Sequence, residues 1–232
     1  MKFFLILILS LSASYLELLS GHYEYDYFNF PKAFPEYNYK FYAGASVTKL
    51  PTIVVEEEIS QSPMLNLGFR IDFPYKFSSA LALNTNYIAN YGSIQVFRSF
   101  QINNHYLAIG GKFAMWFGHL EMEGIRLKSY GWIINPTIYY GYDFQDFLLS
   151  CEIESQHSRM FTYSEDEYLG TLKDPAAGIG IKFNLEQPLW NDNCVSISLK
   201  LNYSKFYYQS WLAFNTIDEF LFYPELIFGF VL

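Results

Sequence analysis

The sequence has few charged residues and few cysteines for a chain of its length. Asp, Glu, Lys and Arg make up 16% of its 232 residues, against about 25% in an average soluble domain. Its 15 basic and 23 acidic residues give a net charge of −8, so the chain has no basic surface to neutralise a nucleic-acid backbone. Cys151 and Cys194 are the two cysteines, too few for a disulfide framework. We therefore expect no nucleic-acid partner and no disulfide scaffold.

Long apolar runs are also lacking beyond the N-terminus. A lysine precedes the apolar run 3–9, and small residues follow it at 10–14. This order is typical of a secretory signal peptide. A spanning helix needs about 20 apolar residues, and Glu17 interrupts this stretch. We predict a signal peptide over 1–14, with cleavage as late as residue 21, and export of the mature chain.

Aromatic residues are abundant instead, with 21 Tyr, 23 Phe and 4 Trp in the chain. They take part in a period-two alternation of apolar and polar residues, which predicts strands with one apolar and one polar face. In the clearest segment, Leu65 and Leu67 fall on one face and Asn66 and Arg70 on the other. The segments with this pattern are 39–50, 63–73, 78–89, 93–101, 106–117, 130–142, 147–156, 176–187, 194–204 and 221–232.

The lengths of the connections favour a transmembrane barrel, in which short turns alternate with long loops. Short connections are expected at 74–77, 143–146 and 188–193, and long ones at 51–62, 118–129, 157–175 and 208–219. The alternation requires 93–101 to be a strand, entered at 90–92 and left at 103–105. We predict an all-β fold: a closed antiparallel up-and-down barrel of about ten strands over 39–232, with eight as the alternative count.

The strand 93–101 has one unfavourable feature. In the register that points its Ser and Gln residues inward, Arg98 faces lipid. An Arg near the bilayer midplane costs roughly 2 to 4 kcal/mol. A bulge near Phe97 could turn the side chain inward.

The polar face of the other strands carries a balanced set of charges that could pair inside a lumen. The predicted lumen network consists of Lys40, Arg70, Asp72, Lys112, Glu152, Glu154, Lys182, Glu186, Lys200 and Glu225. Aromatic residues at the strand ends are typical of the girdles at membrane interfaces. A soluble barrel is the alternative, and its apolar faces would enclose a hydrophobic ligand.

The segment 22–38, ahead of the first strand, is rich in Tyr, Phe and Pro. Rigid aromatic side chains are common anchors at interfaces. We interpret this segment as periplasmic, with three alternatives: it docks a periplasmic protein partner, it tucks into the barrel mouth, or it is an irregular lead-in to the first strand.

The C-terminal segment 224–232 alternates apolar residues, with Phe228 and Phe230 in register and Leu232 as the last residue. In this pattern the chain resembles small bacterial outer-membrane β-barrel proteins of the OmpA, OmpX and OmpW kind, whose last strand alternates apolar residues and has an aromatic residue at or near its end. The departure is that the last residue here is Leu. The resemblance implies location in the outer membrane of a Gram-negative cell envelope, contact with its lipid and lipopolysaccharide, and recognition of the last strand by the barrel-assembly machinery.

Chemical motifs are few. Ser155 and His157 share the lipid-facing side of a strand end and could act on an acyl chain, with His as the base. Four scattered His and the acidic clusters 56–58 and 165–167 predict neither a zinc nor a calcium site. We expect no metal, no cofactor and no catalysis. The predicted role is structural, adhesive or in a surface assembly, with a narrow porin-like channel or a lipid-modifying enzyme as alternatives.

Overall fold

The computed structural model describes residues 27–34, 36–53, 61–86, 88–122, 125–189, 193–205 and 219–232. In this part of the chain, strands pair antiparallel in chain order, and the first pairs with the last to close a barrel. The strands are β1 (Asn38–Lys49), β2 (Gln61–Phe73), β3 (Phe77–Thr85), β4 (Ala89–Ile102), β5 (His105–Met122), β6 (Ile125–Asp143), β7 (Leu148–Ser164), β8 (Glu167–Pro188), β9 (Cys194–Ser204) and β10 (Leu221–Val231). The predicted closed up-and-down barrel of ten strands is confirmed.

The barrel has two distinct ends. At one end, which we call the turn end, β2–β3, β4–β5, β6–β7 and β8–β9 are connected. The other end, which we call the loop end, carries the remaining connections between consecutive strands. None of the described residues forms a helix long and apolar enough to cross a membrane.

Apolar side chains point outward and polar ones inward, as the alternation predicts. On β2, Leu65 and Leu67 are 64% and 53% exposed, whereas Asn66 is 5% exposed and Arg70 is fully buried. The same sorting recurs on β10, where Phe228 and Phe230 are exposed and Glu225 is buried. This arrangement is the reverse of a soluble barrel, which buries its apolar face.

Four strands are longer than the sequence indicates. β5, β6, β7 and β8 contain 18, 19, 17 and 22 residues, so most of the long loops predicted at 118–129 and 157–175 are strand. Glu165 and Asp166, both at positive φ, make the tight turn between β7 and β8. The prediction of long loops here was wrong because polar residues on both faces give a strand no apolar alternation to detect.

The strand 93–101 forms as β4, and Arg98 lies on its outward face. No bulge interrupts its pairing. Arg98 pairs with Phe77, the first residue of β3, so it lies close to the turn end and not near the midplane. Its guanidinium carbon lies 5.4 Å from the ring centre of Phe77 and 5.6 Å from that of Phe100. The predicted turn at 90–92 is wrong: β3 ends at Thr85, ahead of the expected residue 89.

Candidate functional site

Residues 27–34 of the N-terminal segment lie inside the turn end of the barrel. Glu186 of β8 binds it through three backbone groups. The carboxylate oxygen Oε1 accepts hydrogen bonds from the N–H groups of Phe28 at 2.8 Å and Asn29 at 2.9 Å, and Oε2 accepts one from Phe30 at 2.8 Å. Hydrogen bonds to a charged group are the stronger kind. One buried carboxylate thus fixes the backbone of the segment.

Arg70 of β2 binds the carbonyl groups of the same segment. Its Nη1 donates to the carbonyl oxygens of Phe28 at 2.8 Å and Phe30 at 2.7 Å, and its Nη2 donates to that of Lys32. Asp72 forms an ion pair with this guanidinium group, with Oδ1 3.0 Å from Nη2. Arg70 and Glu186 therefore bind the two polar sides of one stretch of backbone, and we call this arrangement the N-terminal latch.

Aromatic packing completes the latch. Tyr27 stacks on Phe34 with ring centres 5.2 Å apart, and the ammonium of Lys40 lies 3.9 Å and 4.0 Å from these two ring centres. Glycine lets the segment approach the wall, because a Cβ atom at Gly68 would collide with the ring of Phe28 and one at Gly141 with that of Phe30. The described residues thus follow the barrel-mouth alternative for this segment.

A second layer, above the latch, is an ion-pair network between β5, β7, β8 and β9. Glu154 accepts from Lys112 at 2.7 Å and from Lys200 at 2.6 Å. Glu152 lies 2.6 Å from Lys182 and 3.5 Å from Lys112. All five side chains are buried or nearly so. The five side chains line the lumen on the side of the barrel formed by β5 to β9.

All ten charged residues of the predicted lumen network face the interior. Lys40, Arg70, Asp72 and Glu186 belong to the latch region, and five others form the ion-pair network. Glu225 is 2% exposed, and its Oε1 has no hydrogen-bond partner among the described residues. It lines a polar cavity of 130 Å³ together with Asn135 and Asn202. A cavity of this size and polarity suits a few water molecules.

A third layer, which the sequence analysis missed, lies in the lumen nearer the loop end, on the inward face of β4 to β7. Tyr91, Ala114, Trp116, Ile133 and Met160 form a buried apolar cluster on the inward face. These residues lie on the face on which the alternation predicts polar side chains. Only their contacts with one another in the structure show that they form an apolar cluster. The predicted boundaries also hid Tyr91, which was assigned to a turn, and Met160, which was assigned to a loop.

On the outward face of β7, the side chains of Ser155 and His157 are in contact. Ser155 Oγ lies 3.1 Å from His157 Nε2, and both side chains are partly buried. A hydroxyl bound to an imidazole is part of a nucleophile–base pair, which also needs a group to orient the base. Among the described residues, no group of three or more His, Cys, Asp or Glu could hold a metal ion.

No protein-family profile matches the chain, and no curated protein matches it. Among solved structures, it is similar to Neisserial surface protein A at 11% identity and a TM-score of 0.42, over 85% of this chain and 98% of the other. It is also similar to the outer membrane protease OmpT from Escherichia coli at 11% identity and a TM-score of 0.42, over 84% of this chain and 93% of the other. A mutant porin of Rh. blastica matches at 8% identity and a TM-score of 0.24, over 84% of this chain and 99% of the other. These structures are outer-membrane barrels, and at such low similarity they assign no activity to this chain.

Proposed function

We propose that the chain is an outer-membrane barrel protein with a closed lumen, which has a structural, adhesive or assembly role at the cell surface and no catalytic activity. The observation that carries this proposal is that apolar side chains point outward and charged ones inward. In a closed barrel every backbone group can form its hydrogen bond without water, and an apolar outer face is stable against lipid but not against water. The barrel closes through backbone hydrogen bonds of 2.9 and 3.1 Å between Leu232 and Phe41, so the last strand is the natural element for barrel-assembly machinery to recognise.

The surface role is supported by the long strands β5 to β8. A membrane-spanning strand needs about 9 to 11 residues, and β5 has 18. At about 3.3 Å per residue, the excess extends the wall roughly 20 Å beyond the bilayer. The end of this extended wall carries exposed residues such as Tyr168 and Asp166. The hydrogen bond from Lys128 lowers the pKa of Asp166. Such a wall presents a rigid, mixed-charge surface to partners.

The three layers of the lumen weigh against the narrow porin-like channel. The latch, the ion-pair network and the apolar cluster fill successive levels of the lumen between the turn end and the loop end. A steady ionic current through planar bilayers containing the purified protein would favour the channel over the closed barrel.

Fractionation of expressing cells tests the membrane location. We expect to find the protein in the outer-membrane fraction and to dissolve it only with detergent. In gel electrophoresis it should migrate faster in unheated samples than in heated ones. A peptide epitope inserted between Glu165 and Asp166, in the turn of the protruding wall, should bind antibody on intact cells.

The matched control inserts the same epitope after Gln145, another residue at positive φ but in a connection at the turn end. It should bind antibody only after the cells are permeabilised. Recovery of the protein from the periplasm without detergent would refute the proposal, and surface labelling at Gln145 alone would invert the orientation.

The contact between Ser155 and His157 favours a second candidate function, the modification of outer-leaflet lipid. The two side chains face the bilayer side of β7, where an acyl ester could approach them.

Replacing Ser155 with alanine separates the two candidates. Under our proposal, mass spectra of lipid A from cells overexpressing either the unchanged protein or Ser155→Ala should be identical to that of cells without the protein. A lipid species that has lost an acyl chain only when Ser155 is present would establish the enzyme.

A further inference from the structure

The outward face of β6 and β7 changes character towards the loop end. On β7, the exposed apolar residues Leu149 and Ile153 are followed on the same face by Ser155, His157 and Arg159. Arg159 is the twelfth residue of the strand, just past the end of a spanning strand of about 9 to 11 residues. Trp132 pairs with Arg159 across the two strands, and Tyr130 pairs with Phe161. We call Trp132, Tyr130, Arg159, Phe161 and Tyr163 the Arg159 patch.

Aromatic rings hold Arg159 in the patch without neutralising its charge. Its guanidinium carbon lies 4.8 Å from the ring centre of Phe161, and Phe161 stacks on Tyr130. Its Nε is buried and has no hydrogen-bond partner among the described residues. None of the carboxylates described in the structure lies within ion-pair distance of it.

The neighbouring cations on the outward face of β6 differ in this respect. Lys128 Nζ lies 2.6 Å from Asp166, and Arg126 Nε lies 3.0 Å from Glu121. These pairs lie farther along the protruding wall, towards the loop end. Arg159, in contrast, has no carboxylate partner among the side chains that the structure describes, so it retains its capacity to bind an anion.

We propose that the Arg159 patch binds the phosphate group of an outer-leaflet lipid. A guanidinium presents five N–H donors in a fork that fits a phosphate in a bidentate manner. Trp and Tyr side chains settle at the depth of lipid headgroups, so the rings pack against the lipid next to its phosphate. This inference rests on the proposed outer-membrane location, and it adds a specific lipid site to it.

Binding of lipid A to the purified barrel in mild detergent, measured by native mass spectrometry, tests the site. We expect the protein to retain bis-phosphorylated lipid A and to bind dephosphorylated lipid A and inorganic phosphate less tightly. The affinity of Arg159→Gln for bis-phosphorylated lipid A should be about tenfold lower, because one charge-assisted interaction disappears. Arg159→Lys, which keeps the charge without the fork, should fall between the two. Arg98→Gln is the matched control, since Arg98 is also outward and next to aromatic rings but lies near the turn end.

Equal affinity of Arg159→Gln and the unchanged protein for lipid A would overturn the site. So would equal affinity for dephosphorylated and bis-phosphorylated lipid A, or inorganic phosphate that binds as tightly as lipid A. The heat-dependent shift in mobility of each variant shows that it is folded. A folded, detergent-dependent barrel whose Arg159→Gln variant binds normally refutes the site alone. A protein recovered without detergent refutes the proposed membrane location.

Discussion

Replacing Glu186 with alanine is expected to raise the rate at which a water-soluble maleimide labels Cys194 by about a hundredfold. Cys194 is fully buried in a cluster with Tyr42 and Val231, against which Phe28 of the latch packs. Loss of the three hydrogen bonds to Glu186 should cost the bound segment about 3 kcal/mol or more, since hydrogen bonds to charged groups contribute about 1.5 to 3 kcal/mol each. That free energy corresponds to a hundredfold larger open population.

The measurement uses a Cys151→Ser background, because Cys151 is the other thiol of the chain and lies on the outward face of β7. Glu225→Ala is the matched control: Glu225 is an equally buried lumen carboxylate, and it makes no described hydrogen bond to the N-terminal segment. Labelling as slow in Glu186→Ala as in Glu225→Ala would mean that Glu186 does not hold the segment in place.

Replacing Glu154 with alanine should lower the free energy of unfolding by about 3 kcal/mol or more. Glu154 is 2% exposed and accepts hydrogen bonds from both Lys112 and Lys200. Its removal leaves one buried ammonium without its described carboxylate partner and the other with Glu152 alone. Breaking one side of a buried ion pair typically costs about 3 to 5 kcal/mol. Urea unfolding of the barrel in lipid vesicles measures the change as a shift of the midpoint at constant slope.

Glu121→Ala is the control for this variant. Glu121 forms an ion pair of similar length with Arg126, at 3.0 Å, but its side chain is 54% exposed. Exposed pairs contribute about 0 to 1 kcal/mol, so the midpoint should hardly move. Equal stability of the two variants would indicate that water in the lumen screens the network and that the ion pairs do not stabilise the barrel.

The barrel itself follows from the sequence because its signal is local. Alternation in 63–73 places Leu65 and Arg70 on opposite faces whatever else the chain does, since successive side chains of a strand point to opposite faces. The need for short and long connections to alternate then predicted the strand around Arg98, although its own pattern is poor. The placement of the lumen charges on one face follows from the same period.

The extents of the strands could not be read in this way. Beyond the bilayer both faces of a strand meet water, so a stretch such as 157–164 shows no contrast between its faces, although it continues β7 in the structure. The inward apolar cluster has a different cause: Trp116 and Ile133 fall on the face assigned to polar groups, and only their packing with each other and with neighbouring strands explains them.

By itself the sequence determined that side chains alternate between two faces along each strand and which charged residues share a face, because a period of two is a property of consecutive residues. Only the tertiary structure decided how those residues are used. Glu186 is 156 residues from Phe30 and Arg70 is 40 residues from it, and no local pattern connects them. The closure of the barrel brings them to one stretch of backbone, and these long-range contacts hold residues 27–34 inside the turn end.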